Sequence, residues 1–278
     1  MLGTAFPAAR LLLVEQPGPW GRSGLRESHF DRTLAARLEQ QAGRTGYRVE
    51  AIRHVGRTFA AAPRRFALVD TRDGHETLRW GAFDRDEELL DLALDDESLG
   101  VPDTDPVYLV CTHGKHDACC ALRGRPVAAA LHAVRPDRVW ECSHLGGDRF
   151  AANVLVLPTG LLYGRVLPLA AAEFVAAAEA GEVIGGLLRG RIGLPSPAQA
   201  ALAFAHEHLA LRRRRDLQVE RTSEIVDGHA SVRLRGPHGR IDVVVQVERV
   251  AADGLTCANP RPNQYLRYRP SSITAVEQ

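Results

Sequence analysis

Three cysteines fall within one ten-residue segment, Cys111-Thr-His-Gly-Lys-His-Asp-Ala-Cys119-Cys120. The apolar run Val107–Val110 before it reads as a short buried strand, and Cys120–Val134 after it as a helix. That reading puts Cys111 at the carboxyl end of a strand and Cys119 and Cys120 at a helix start. Unpaired N–H groups and the positive end of the helix dipole there favour thiolate, the form that ligates metal or attacks. Gly114 permits a close loop, and Asp117 stands where an N-terminal cap belongs. One such cysteine would ordinarily be a small buried hydrophobe; three in this setting point to thiol or metal chemistry. A second segment, Trp140-Glu-Cys142-Ser-His144-Leu-Gly-Gly-Asp148, leaves a strand through a two-glycine loop that can bend a histidine and a carboxylate around a ligand. By itself it reads better as a hairpin with a satisfied histidine.

Taken together, these segments and Val14-Glu-Gln-Pro-Gly-Pro-Trp-Gly-Arg22 make the chain resemble the sucrase/ferredoxin-like family over nearly its whole length. The resemblance implies a second domain similar to thioredoxin-like ferredoxins and a [2Fe–2S] cluster. Its first ligand pair falls on Cys111 and Cys120. Some family members carry H-x3-H as the second pair; here His144 takes the first position and Asp148 the second, where this sequence departs from the pattern. Carboxylate is a harder donor than thiolate or imidazole and is uncommon on such clusters. Position therefore favours Asp148 as fourth ligand, softness favours Cys257, and Cys142 and Cys119 stand behind both. Arg149, His113, Lys115 and His116 would surround the cluster with positive charge and donors. The implied role is electron transfer between a reductase and an acceptor protein.

The residues also allow other readings. A thiol oxidoreductase would use Cys111, Cys119 or Cys120, although C-x-x-C is absent. A zinc-stabilised binding module would use Cys111, Cys120 and His144. Glycoside hydrolysis needs two carboxylates set across a sugar site, and none of the acids falls in such a constellation.

The elements that must position these groups follow from hydrophobic periodicity. Strands are predicted at Arg10–Glu15, Tyr47–Arg53, Phe66–Thr71 and Thr77–Ala82, with helices at Arg32–Ala42 and Asp84–Leu94. Asp73-Gly74 marks a tight turn. Beyond the Pro- and Asp-rich stretch Val101–Pro106, strands are predicted at Arg138–Glu141, Asn153–Leu157 and Leu161–Val166 and a helix at Leu169–Ala180. The expected fold class is α/β: two thioredoxin-like units, 1–100 and 101–190, each a mixed sheet flanked by helices and the second ferredoxin-like. A C-terminal extension over 191–278 is expected to hold a helix, Pro197–Leu211, and a hairpin, Ala230–Arg235 with Ile241–Val247. Pro17–Trp20 reads as a rigid turn pinning Trp20 to the core, and Arg212–Arg215 as a complement to a helix C-terminus.

Composition narrows the partners. With 35 Lys+Arg against 34 Asp+Glu over 278 residues, the net charge of +1 gives no electrostatic case for nucleic acid or an anionic membrane. No apolar run approaches the roughly 18 residues that span a bilayer, and no basic n-region precedes Leu11–Val14. A cytoplasmic protein is expected. Five cysteines, an odd number, do not form a secreted disulfide framework.

Overall fold

The computed structural model describes residues 1–56, 63–253, 256 and 263–276. Leu11–Val14 is apolar without interruption, as a strand covered on both faces must be, and forms the buried centre of β1 (Arg10–Glu15). Helix α1 (Arg32–Arg44) starts where the Asp31 carboxylate accepts from Leu34 N, and turns Ala35, Leu38 and Ala42 inward. Strands β2 (Tyr47–His54), β3 (Arg64–Asp70), β4 (Thr77–Phe83) and the short β5 (Val101–Pro102) complete the first half. The second half runs β6 (Val107–Cys111), α2 (Ala118–Val134), β7 (Val139–Cys142), β8 (Val154–Leu157), β9 (Leu161–Tyr163), α3 (Ala171–Glu179) and β10 (Leu188–Arg191).

The two halves repeat one topology. Strand β2 lies parallel to β1, β3 lies antiparallel on the other side of β1, and β4 pairs antiparallel with β3. Strands β7, β6, β8 and β9 do the same. The strand order is thus partly thioredoxin-like, as expected. The expectation of two separate sheets is corrected, because β2 and β7 pair antiparallel and fuse the halves into one ten-stranded sheet, β10-β9-β8-β6-β7-β2-β1-β3-β4-β5. Helix α1 packs over Leu12, Val14 and Leu68, and α2 and α3 pack over Tyr108, Val110 and Val154. Leu11, Leu13, Leu109, Cys111 and Cys142 share another core cluster.

At the seam Ile52 faces Cys142 and Arg53 faces Glu141. Arg53 Nε donates to Glu141 Oε2 at 2.7 Å, and the Thr112 hydroxyl donates to the same oxygen at 3.0 Å. The Arg53 guanidinium lies 4.1 Å over the Trp20 ring, and Trp20 Nε1 donates to Gln16 O, so the Pro17–Trp20 turn is pinned as expected.

Two expectations fail. Asp84–Leu94 holds only a 3-10 turn, Asp86–Asp91, that buries Leu89. The C-terminal part is not a helix with a hairpin. It is α4 (Ser196–His208) packed on a four-stranded antiparallel sheet of β11 (Gln218–Thr222), β12 (His229–Gly236), β13 (Gly239–Ala252) and β14 (Asn263–Val276). The predicted hairpin is its centre, and a hairpin alone is marginal without further strands. Strand β14 is an edge, which is where Pro270 can lie within a ladder. Of the basic tract, Arg214 binds Asp73 and Glu76 of the β3–β4 turn at 3.0 and 2.6 Å, tying this part to the first half. Among the described residues no helix is long and apolar enough to cross a membrane.

Removing one partner of a buried ion pair leaves the other charge uncompensated. Arg53→Met is expected to lower unfolding free energy by about 3–5 kcal/mol, and Arg53→Met with Glu141→Leu to recover much of that loss. Urea denaturation of the parent, Arg53→Met, Glu141→Leu and the double variant checks both values; additive losses in the double variant would refute the coupling.

Candidate metal centre

Cys111 ends β6 and Cys120 lies in the first turn of α2, whose cap is the expected one: the Asp117 carboxylate accepts from Cys119 N at 2.8 Å. Cys120, Gly124, Val127, Ala128 and Leu131 are the buried positions of α2, a spacing that marks one helix face. This separates Cys120 from its neighbour. Cys111, Cys120 and Cys142 are free and buried, whereas Cys119 is disulfide-bonded and not a free thiol. Gly124 lets α2 approach the strand end so closely that a Cβ there would collide with the Cys111 carbonyl oxygen.

After β7, the loop turns through Gly146 at φ 74° and Gly147 at φ 71°, left-handed values that disfavour any side chain. This turn brings His144 back over the thiols. Its Nδ1 lies 4.0 Å from Cys111 Sγ and 3.8 Å from Cys120 Sγ. Its Nε2 faces Asp148 Oδ1 at 3.3 Å, and the same oxygen accepts from Cys120 Sγ at 3.5 Å. All four predicted residues are thus brought together. One donor atom from each of Cys111, Cys120 and His144 lies within 4.8 Å of the others. Donors of one tetrahedral ion with metal–sulfur bonds of about 2.3 Å stand about 3.5–3.8 Å apart, so these groups lie near metal-coordination spacing and would close by a few tenths of an ångström around an ion. Asp148, on the far ring nitrogen, is also placed to fix the histidine tautomer, as a carboxylate behind a metal-bound histidine does. Cys142 pairs with Cys111 across the β6–β7 ladder but is outside the group. Cys257 lies outside the described residues.

The thiols ionise as a pair. Cys120 donates to Cys111, which with His144 holds Cys111 well below the ordinary thiol range despite burial; the same interaction and burial push Cys120 up. Burial alone would lower His144, but the Cys111 thiolate it faces outweighs that and raises it. Burial raises Asp148 against the pull of His144. The pocket therefore favours one thiolate beside an imidazolium, a charge pair that a cation would replace.

Two residues hold the loop that sequence reasoning did not single out. Arg189 of β10 is buried and donates to Gly146 O at 2.8 Å, Asn153 Oδ1 at 2.9 Å and Thr4 O at 2.6 Å. Asn153 Nδ2 in turn donates to Gly147 O at 3.1 Å. Burial lowers the guanidinium pKa to about 10, with the Cys111 charge acting to raise it. From the first half, Arg48 donates to His144 O at 2.8 Å and pairs with the buried Glu50 at 2.6 Å.

Of the expected surrounding charges, His116 stacks on His144 with centroids 3.7 Å apart. Buried His113 contacts Gly21 O at 2.6 Å, and Lys115 is exposed. Arg149 turns away, toward Phe150 and Tyr265. A cavity of about 420 Å³ lined by His113, His116, His144, Arg48 and Glu50 leads to the centre from solvent.

Residues 1–190 match the sucrase/ferredoxin-like family. The chain belongs to that family. The match covers both halves of the ten-stranded sheet up to β10. A thioredoxin-like [2Fe–2S] ferredoxin from Aquifex aeolicus is similar over 34% of this chain and 97% of its own, at 21% identity and a TM-score of 0.29. No curated protein matches the sequence. This sucrase/ferredoxin-like chain thus carries a Cys/His group as its one candidate metal centre among the described residues.

The two loop glycines make different demands. A Cβ on Gly146 meets nothing within 4 Å, whereas one on Gly147 would lie 2.5 Å from Arg189 Nη2. Gly146→Ala is expected to cost about 1 kcal/mol from backbone strain alone, and Gly147→Ala at least about 1 kcal/mol more. Equal denaturation midpoints for the two would show that Arg189 does not set the loop.

Proposed function

We propose that this protein is a one-electron carrier whose [2Fe–2S] cluster is held by Cys111, Cys120, His144 and Asp148. The observation that carries the reading is the meeting of a cysteine pair from the β6–α2 loop with a His/Asp pair from the glycine loop. These supply two donors from each of two segments, matching in number what two tetrahedral irons require beyond their bridging sulfides. When bound, such a cluster stores and releases a single electron without covalent change in substrate. The protein's own part is to hold Cys111 as a thiolate, carry the imidazole to the thiols on the glycine loop, and surround the sulfurs with apolar walls and the buried Arg189 charge. His116, stacked on His144 at the cavity, offers the shortest approach for a partner. The partners are a reductase and an acceptor protein, and the site of action is the cytoplasm.

The test is iron, acid-labile sulfide and electron paramagnetic resonance on anaerobically purified protein. Two irons and two sulfides per chain with a rhombic signal after reduction are expected. Cys111→Ser and Cys120→Ser are expected to lose at least about 90% of the iron and Cys142→Ser to retain it; loss in Cys142→Ser alone would overturn the ligand set. Asp148→Ala is expected to lose iron, while Asp148→His keeps a cluster with shifted spectra, since imidazole replaces a harder anionic oxygen. Full iron and an unchanged spectrum in Asp148→Ala would remove Asp148 from the ligands.

The second reading, one zinc ion on Cys111, Cys120 and His144, is favoured by the sulfur–nitrogen separations of 3.8 and 4.0 Å, which suit donors around a single ion. Colourless protein with one zinc per chain would select it.

A further inference from the structure

Behind the metal loop, on the side away from His144, lies a concavity of about 380 Å³ formed between Arg149, Phe150 and Arg165 and the outer end of β14. Three guanidiniums line it, those of Arg149, Arg165 and Arg267, and no carboxylate does among the described residues. Arg149 and Arg165 make no ion pair among the described residues, and Arg267 reaches only Glu248, at 3.9 Å between two well-exposed side chains. Guanidiniums gathered in a partly desolvated concavity that no carboxylate lines among the described residues repel one another, a cost that an anionic ligand would offset.

The guanidiniums are also held in place. Arg149 lies 4.4 Å over Phe150 and 4.9 Å from the Tyr265 ring centre, and Arg165 lies 5.8 Å over Phe150. Arg267 Nη2 donates to Tyr265 Oη at 3.0 Å. Stacking fixes the faces and leaves N–H edges for an acceptor in the plane, which is how arginine grips multi-oxygen anions. A separate observation marks the same place. Arg165 takes φ 59°, a left-handed value unusual for a residue with a side chain, and its N–H donates to Phe150 O at 2.7 Å. Strain of this kind clusters at ligand clamps, where the surroundings hold it.

We infer that Arg149, Arg165 and Arg267 form a binding site for the phosphoryl group of a small organic phosphate. A phosphate monoester carries close to two charges and three acceptor oxygens, a better match to three guanidiniums than a monocarboxylate. The concavity lies within the size range of small-molecule pockets and is far larger than a phosphate ion, leaving room for the organic part. The site uses none of the proposed metal ligands and stands or falls independently of the cluster.

The test is calorimetric titration of the full chain, as purified, with phenyl phosphate, inorganic phosphate and benzoate. Phenyl phosphate is expected to bind at least tenfold more tightly than benzoate and more tightly than inorganic phosphate. Arg165→Ala and Arg267→Ala are each expected to weaken phenyl phosphate at least tenfold while iron content and thermal midpoint stay at the parent values. Both side chains reach solvent, so neither variant is expected to fail to fold. Equal binding of benzoate, unchanged affinity in both variants, or no binding at millimolar phenyl phosphate would each overturn the assignment. The last result with Arg165-dependent binding of polyglutamate would replace it by an acidic macromolecular partner.

Discussion

Everything in the centre depends on the antiparallel pairing of β2 with β7. Because those strands meet, the loop leaving β7 is gripped from the first half: Ser143 N donates to Ala51 O at 2.8 Å, Ala51 N donates to Ser143 Oγ at 3.0 Å, and Arg48 donates to His144 O. The second half alone would supply both thiols and the imidazole but leave the histidine loop without its outer wall. The same seam explains why the family match runs through residues 1–190 rather than stopping at one thioredoxin-like unit. Neither half has a free edge at β2 or β7, so the halves form one hydrogen-bonded body.

The electrostatics of the centre follow from this enclosure. Burial of two thiols, an imidazole and a carboxylate in one pocket is unfavourable unless the charges compensate, and each pKa displacement here expresses that compensation. Arg189 is the telling case. Its hydrogen bonds go to carbonyl oxygens, an amide oxygen and a hydroxyl, all neutral, so its positive charge is balanced through space by the thiolate and Asp148 rather than by direct contact. A buried cation in that position favours a centre with net negative charge. The geometry of the loop and the charge beside it thus come from one side chain.

Much of this was legible in the sequence, and the failures have physical causes. Strands with unbroken apolar runs or turn signals at both ends, such as Leu11–Val14 and the Asp73-Gly74 hairpin, were readable because local pattern alone specifies them. Cys111, Cys120 and His144 were readable through the family resemblance, with Asp148 and Cys257 left open as the fourth residue, and the fold brings Asp148 beside the other three. Arg189 was not, since it acts from β10 across the fold and no local feature separates it from a solvated arginine. Strand β14 was hidden for a related reason: Leu266, Arg267, Arg269 and Pro270 form no alternating apolar set, and only an edge position tolerates such a sequence. Nor does periodicity say which two buried strands from different halves will be neighbours, so the ten-stranded sheet was invisible until β2 met β7.

The repeat suggests what the first half contributes beyond support. Glu15 pairs with Ile52 as Cys111 pairs with Cys142, and Ile52 faces Cys142 across the seam, so Glu15 holds the register position of Cys111. Like the cysteine it is buried at the carboxyl end of a central strand, where N–H groups of the following chain are available. Its carboxylate accepts from Arg65 N at 2.9 Å and faces His54 Nε2 at 3.7 Å, and His54 in turn stacks on Trp140 with centroids 4.1 Å apart. In both halves a buried anionic group at that strand end organises the polypeptide around it, next to a histidine. In the first half backbone donors satisfy the anion and the result is a structural anchor. In the second the anion is a thiolate beside another thiol and an imidazole, a donor set of the kind that holds a metal.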